Sequence, residues 1–235
     1  MKLCVILVRS GSKGLPDKNA KPFLGKPLLS YSVAQASASR TFDAIAVSSD
    51  SRAYLDLAQA AGANCLIERP ADLASDTASS LDALRHAVKV AEARLTTSFE
   101  TVTLLQATSP IRQPGQISEA LGLLDAVDEA QNLVSVTATK DGPWSTLVTS
   151  EQQWARRLSE AGAEITRRQD APRLYRINGS IYAWRRDALD RTAVLIGSRT
   201  LIYPMPYLYS MDIDSIDDLK IAEFVAKELL RWSSA

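Results

Sequence analysis

The chain has 235 residues, 46% of them hydrophobic, and its 27 basic and 27 acidic side chains leave a net charge of zero. That is enough apolar material for a single large core and excludes a disordered chain, while the balanced charge offers no general attraction to a polyanion and sets nucleic acid aside as a partner. The opening apolar run is too short for a signal-peptide core and no later stretch approaches a membrane span, so the expectation is a cytoplasmic protein with no membrane association.

Apolar strands and amphipathic helices alternate from the start. The pattern predicts a strand over 3–8, a helix over 28–39, a strand over 44–48, a helix over 52–61 and a strand over 64–67. It continues with a helix over 80–95, a strand over 101–106, a helix over 116–126 and a strand over 133–139. This is the βαβαβ pattern of a parallel sheet, with strands buried on both faces. Over 140–176 the alternation lapses into an excursion that carries Trp144, Trp154 and the basic pair Arg167-Arg168. The chain then returns through Gly179–Trp184 and 200–205 and ends in a helix over 216–231, with Ser215 and Asp218 spaced as a capping box. Cys4 and Cys65 fall in strands, lack metal-type spacing and read as buried thiols of a reducing compartment.

Three loops carry candidate chemistry. The first strand runs into Arg9-Ser10-Gly11-Ser12-Lys13-Gly14-Leu15-Pro16-Asp17-Lys18-Asn19. Its glycines allow backbone N–H groups to approach an anion, and Arg9, Lys13 and Lys18 add positive charge. The spacing is neither a P-loop nor a dinucleotide fingerprint, so phosphate binding and an ordinary polar loop both remain open. A second loop, running from Arg69 to Ser80, and a third, from Gln106 to Arg112, follow other strands and should meet the first at the carboxyl edge of the sheet. Thr77, Ser79 and Ser80 serve equally well as helix caps.

Near the C-terminus, Asp212 and Asp214 alternate in Met211-Asp212-Ile213-Asp214-Ser215. In extended backbone they share a side, and they either cap the final helix or hold Mg²⁺, which takes one or two carboxylates alongside water and phosphate oxygens. Arg168, Gln169, Arg176 and Asn178 suit an acidic, hydroxylated ligand, or form a solvated basic face. His86 is the single histidine, lies inside a helix and reads as structural, which leaves no triad to build.

In their order along nearly the whole chain these segments resemble the acylneuraminate cytidylyltransferases, which include the CMP-sialic acid synthetases and their bacterial CMP-nonulosonic acid relatives. The resemblance is carried by the first loop, Val47-Ser48-Ser49-Asp50, Arg69-Pro70, Leu104-Leu105-Gln106 with Thr108-Ser109-Pro110, Arg168-Gln169, Asn178-Gly179 with Ile181-Tyr182, and Asp212-Ile213-Asp214. Two departures stand out: Leu7-Val8 replaces the family's Pro-Ala, and Ala107 replaces its proline after the glutamine.

The resemblance implies a three-layer α/β fold with a mostly parallel, Rossmann-like nucleotidyltransferase sheet. That fold would be formed by 1–139 and 177–235, with 140–176 an inserted dimerisation and sugar-binding segment. It implies transfer of CMP from CTP to the anomeric hydroxyl of an acidic nine-carbon sugar, release of pyrophosphate, dependence on Mg²⁺ and a homodimer. Arg9, Gly11, Ser12, Lys13 and Lys18 would then hold the triphosphate, and Asn19, Arg69 and Ser80 the cytidine. Gln106, Arg168, Gln169, Asn178 and Tyr182 would face the sugar. Asp212 and Asp214 would bind the metal, and Arg9, Lys18 and Asp214 would act in catalysis. A cytidylyltransferase for the eight-carbon sugar Kdo, a nucleotide-sugar glycosyltransferase with an Asp-x-Asp motif, and a non-catalytic nucleotide-binding protein of the same fold are the rival readings.

Overall fold

The computed structural model describes residues 1–12, 14–75, 77–142, 146–149, 155–157 and 173–232, with the backbone alone at 147, 148 and 155–157. Its strands are β1 (Lys2–Leu7), β2 (Pro22–Phe23), β3 (Lys26–Pro27), β4 (Ala44–Ser49), β5 (Cys65–Glu68), β6 (Thr101–Leu105), β7 (Asn132–Thr139), β8 (Leu147–Thr149), β9 (Ala155–Arg157), β10 (Leu174–Arg185) and β11 (Thr200–Pro204). Its helices are α1 (Leu28–Ser39), α2 (Arg52–Ala60), α3 (Ser80–Leu95), α4 (Pro114–Asp125), α5 (Arg186–Arg191) and α6 (Ile216–Phe224).

Seven strands form one sheet in the order β11-β7-β10-β6-β1-β4-β5. The pairs β1–β4, β1–β6, β4–β5 and β7–β11 are parallel, whereas β10 runs antiparallel to both β6 and β7. A reversed strand therefore sits among parallel neighbours, and β10 brings its early residues to the edge where those neighbours end. Between Ile177 and Tyr182 its pairing with β7 shifts register, which places Asn178 and Gly179 in an irregular stretch at that edge. Outside this sheet, β8 and β9 form their own antiparallel ladder inside the predicted excursion, most of which lies outside the described residues.

Side chains alternate across β1, so one strand feeds both faces. Cys4, Ile6 and Val8 pack with Leu29, Val33, Leu55, Ile117 and Leu121 from α1, α2 and α4. Leu3 and Val5 pack with Leu84, Val88 and Ala91 of α3, and with Trp184 and Leu189. Three layers follow, and each fully buried Leu, Ile or Val contributes about 1.5–3 kcal/mol. Both cysteines are buried free thiols within these layers.

A third apolar cluster joins the two ends of the chain. Leu15 and Phe23, which follow β1, meet Ile213, Leu219, Ala222 and Val225 around α6. The capping box at the start of α6 is present: Ser215 Oγ accepts from the Asp218 N–H at 3.2 Å, and Asp218 Oδ2 accepts from the Ser215 N–H at 2.8 Å. The α-helix is shorter than the predicted 216–231, because a π turn over Val225–Leu229 replaces its last part. Among the described residues no helix is long and apolar enough to cross a membrane.

Candidate active site

A cleft of about 550 Å³ opens at the carboxyl edge of the sheet. Arg9, Ser12, Gly14, Lys18 and Asn19 line it from the loop after β1, Arg69, Ser75 and Ser79 from the loop after β5, Ser80 from the start of α3, and Gln106 and Thr108 from the loop after β6. Asp214 completes the lining from the far end of the chain. Of the residues singled out in the sequence, these are the ones the fold brings together. Gly11, Asn178, Tyr182 and Asp212 lie outside the lining, and Lys13, Arg168 and Gln169 lie outside the described residues.

The loop after β1 is held from several sides. Gly11 has φ +70°, a left-handed conformation that disfavours a side chain. A Cβ at Gly14 would stand 2.7 Å from the Asp214 carbonyl oxygen, so glycine is what lets the first loop lie against the aspartate segment. Asn19 is buried and donates to the Arg9 carbonyl at 3.2 Å, which ties the loop's two ends together. The Ser10 N–H donates to Asp50 Oδ1 at 2.9 Å, and the Ser10 hydroxyl donates to Asp50 Oδ2. Burial raises the Asp50 pKa, but these hydrogen bonds and the nearby Arg69 charge outweigh it and hold the carboxyl below its ordinary value.

Arg69 is buried, donating from Nη2 to the carbonyls of Val8 at 3.2 Å and Ser48 at 2.6 Å, and from Nε to Ser48 Oγ at 3.2 Å. It thus clamps the ends of β1 and β4 while lining the cleft. Burial lowers its pKa, Asp50 opposes that, and Arg9 adds to it. Ser79 occupies the N-cap position of α3 without a side-chain cap bond, and Ser80 opens the helix. The first turn of this 16-residue helix therefore meets the cleft with the partial positive charge of its N–H groups.

On the opposite side, Lys18 Nζ donates to Asp214 Oδ1 at 2.7 Å, with the lysine side chain 13% exposed and the aspartate 75% exposed. Partial desolvation raises the pKa of Asp212; its hydrogen bond with Thr108 and the Lys18 charge lower it, and Asp214 and Asp218 raise it. Mutual repulsion between neighbouring carboxylates is what a bound cation relieves, and two carboxylates, Asp214 in the cleft lining and Asp212 two residues before it, make a donor set that fits Mg²⁺. Lys18 is the cation at Asp214 in this structure. Tyr182 is buried, stacks on Trp184 with ring centroids 6.0 Å apart, and has its hydroxyl pKa raised by burial and then by Asp212.

Two residues that the sequence named within motifs but gave no role of their own hold the site from behind. Asp50 anchors the first loop, as above. Arg112, entirely buried, reaches Gln106 and Ser180; burial pulls its pKa down to about 10, against the opposing influence of Cys4. Only its position at the end of the third loop hinted at a role, because its partners are scattered along the chain. Asn178 is also saturated internally. Its Oδ1 accepts from Ser135 Oγ at 2.6 Å and from the Ser180 N–H at 3.1 Å, and its Nδ2 donates to Ser210 Oγ at 2.9 Å. His86 lies in α3, away from the cleft lining.

Comparison with known proteins shows the family. A family model described as cytidylyltransferase matches residues 3–226. A CMP-N,N'-diacetyllegionaminic acid synthase of Campylobacter jejuni is 34% identical over 95% of this chain and 94% of its own. An N-acylneuraminate cytidylyltransferase of Streptococcus agalactiae is 34% identical over 92% of this chain and 51% of its own. A CMP:2-keto-3-deoxy-manno-octonic acid synthetase solved with CTP shares the fold, with TM-score 0.71 and 20% identity over 97% of this chain and 99% of that one. A family match across nearly the whole length, together with relatives that share a third of its residues, makes this chain a nucleotidyltransferase of the acylneuraminate cytidylyltransferase family.

Proposed function

We propose that the chain transfers CMP from CTP to the anomeric hydroxyl of an acidic nine-carbon 2-keto sugar of the nonulosonic class, releasing pyrophosphate. The observation that carries this reading is the cleft itself: Arg9, Lys18 and the first turn of α3 supply positive charge around a space whose rim holds a carboxylate, Asp214. The legionaminic acid named in the Campylobacter relative supports the sugar class.

In the reaction the acceptor oxygen bonds to the α-phosphorus, the bond from that phosphorus to the β-bridging oxygen breaks, and pyrophosphate departs. Positioning and charge neutralisation do most of the work in such a transfer. The triphosphate enters against Arg9, Ser12 and Lys18, with Asn19, Arg69 and Ser80 toward the nucleoside. Lys18 then exchanges Asp214 for a phosphate oxygen, and the freed carboxylate takes the proton of the anomeric hydroxyl. Asp212 and Asp214 are the residues that would hold Mg²⁺, which when bound supplies charge neutralisation at the phosphates. A homodimer is part of this reading, and sedimentation of the purified chain tests it.

The test is to incubate the protein with CTP and, separately, N-acetylneuraminic, legionaminic and pseudaminic acids and Kdo, with Mg²⁺ or with EDTA, and to weigh the products. A CMP-nonulosonate formed only with Mg²⁺ is the expected result. A product with Kdo alone replaces the sugar class, Mg²⁺-independent turnover removes the metal, and no product from any acid rejects the transferase reading.

A further inference from the structure

Arg112 is completely buried, and its five N–H groups meet five oxygens. Nε donates to Ser180 Oγ at 2.9 Å, and Nη2 donates to the Ser180 carbonyl at 2.9 Å and the Gln106 carbonyl at 3.0 Å. Nη1 donates to Gln35 Oε1 at 2.9 Å and Ser32 Oγ at 3.3 Å. None of these acceptors is a carboxylate. A buried cation answered only by neutral dipoles is a costly way to hold a core together, since apolar packing would serve a purely structural position as well.

The partners show where that cost is directed. The Gln106 carbonyl also accepts from Ser32 Oγ at 3.0 Å, so the residue at the head of the third loop is fixed from two sides. Ser180 leads onward: its N–H donates to Asn178 Oδ1, and the Asn178 amide donates to Ser210 Oγ, two residues before Asp212. A second route closes the ring, because the Ile213 N–H donates to the Thr108 carbonyl at 2.9 Å. The acceptors around Arg112 thus join the Gln106 loop, the irregular stretch of β10 and the Asp212–Asp214 segment. Arg69 and Ser80 stand outside this network, and the loop after β1 touches it at Asp214, through Lys18 and the close approach of Gly14.

We propose that Arg112 is a positioning residue that fixes Gln106 relative to the Asp212–Asp214 segment and thereby sets affinity for the acidic sugar and the rate of transfer, leaving the nucleotide subsite unchanged. The proposal rests on the transferase reading above. Only a guanidinium offers a planar fork with five donors; an ammonium at this place reaches at most three acceptors and cannot hold the same plane.

The experiment compares wild type, Arg112→Lys and the milder Ser180→Ala by CTP titration calorimetry, by steady-state kinetics with the acid sugar, and by amide hydrogen exchange. The expected result for Arg112→Lys is a rise of tenfold or more in KM for the sugar, a fall in kcat, and a CTP dissociation constant within twofold of wild type. Exchange should rise in peptides spanning 106–113, 178–182 and 210–214 and stay at wild-type levels in β1 and β4, with Ser180→Ala showing a smaller shift in the same places. Equal loss of CTP and sugar affinity, exchange raised evenly through the sheet, or wild-type behaviour in both variants overturns the proposal. If Arg112→Lys does not fold, Ser180→Ala decides the matter alone. If the wild type turns over none of the sugars, the transferase reading fails, and local against uniform exchange still judges the positioning role.

Discussion

Lys18 and Asp214, 196 positions apart in sequence, meet at 2.7 Å on the rim of the cleft. The pair joins the loop after the first strand to the segment before the last long helix, and the cluster of Leu15, Phe23, Ile213 and Leu219 packs the same two regions together. The separation between cation and carboxylate is therefore set by apolar packing beneath them and by the approach of Gly14 to the Asp214 carbonyl.

Lys18→Met removes a positive charge where the leaving pyrophosphate develops negative charge. Loss of one such group costs about two powers of ten in kcat. Asp214→Asn keeps the shape and removes the base; turnover should disappear while CTP binding stays near wild type. Pre-steady-state kinetics and CTP titration check both, and unchanged turnover in Asp214→Asn contradicts its assigned role.

Gly14→Ala places a Cβ 2.7 Å from a backbone oxygen that no rotamer change can move aside. The loop or the aspartate segment must shift, at a cost of about 1–3 kcal/mol by analogy with overpacked cores. Urea denaturation should show that loss, and activity should fall further than stability because Lys18 and Asp214 move apart.

Asp50 links stability to pH. Hydrogen bonds from Ser10 hold its folded pKa below the ordinary 3.8. A depressed carboxyl stabilises the fold above the unfolded pKa, and the benefit is lost as pH falls through the folded one. Asp50→Asn should therefore lower stability at pH 7 by at most about 1 kcal/mol once solvent screening is counted, and its deficit should vanish below that window. Melting curves from pH 7 down to pH 2 measure this; a deficit that grows as pH falls contradicts the sign.

Asn178→Leu strips a buried amide from Ser135, Ser180 and Ser210. Leaving such partners unsatisfied costs about 1–3 kcal/mol each before relaxation. Chemical denaturation should show a loss well above that of Asp50→Asn, accompanied by reduced turnover because Ser210 leads into Asp212.

The fold was legible wherever hydrophobic period and local capping decide the outcome. The helices α1 and α3 occupy their predicted spans, and Ser215 with Asp218 caps α6 as their spacing implies. Convergence of three loops at one sheet edge followed from the βαβ pattern, and Arg9, Lys18, Arg69, Ser80, Gln106 and Asp214 do line one cleft. The reversal of β10 was not legible, because a strand buried on both faces reads the same in either direction. Nor was the π turn after Phe224, which local composition does not distinguish from continued α-helix. Arg112 and Asn178 show the same limit at the site. Their partners lie as far as 80 residues away, so a sequence reveals a cation and an amide near a loop without revealing that both are used internally.

Cytidylyl transfer in this cleft is read out by pyrophosphate release with Mg²⁺ and each of CTP, ATP, GTP and UTP in the presence of a nonulosonic acid. Release is expected with CTP, dependent on the acid and abolished in Asp214→Asn. Binding of CTP with no pyrophosphate from any acid offered, or equal release from all four nucleotides, would contradict it.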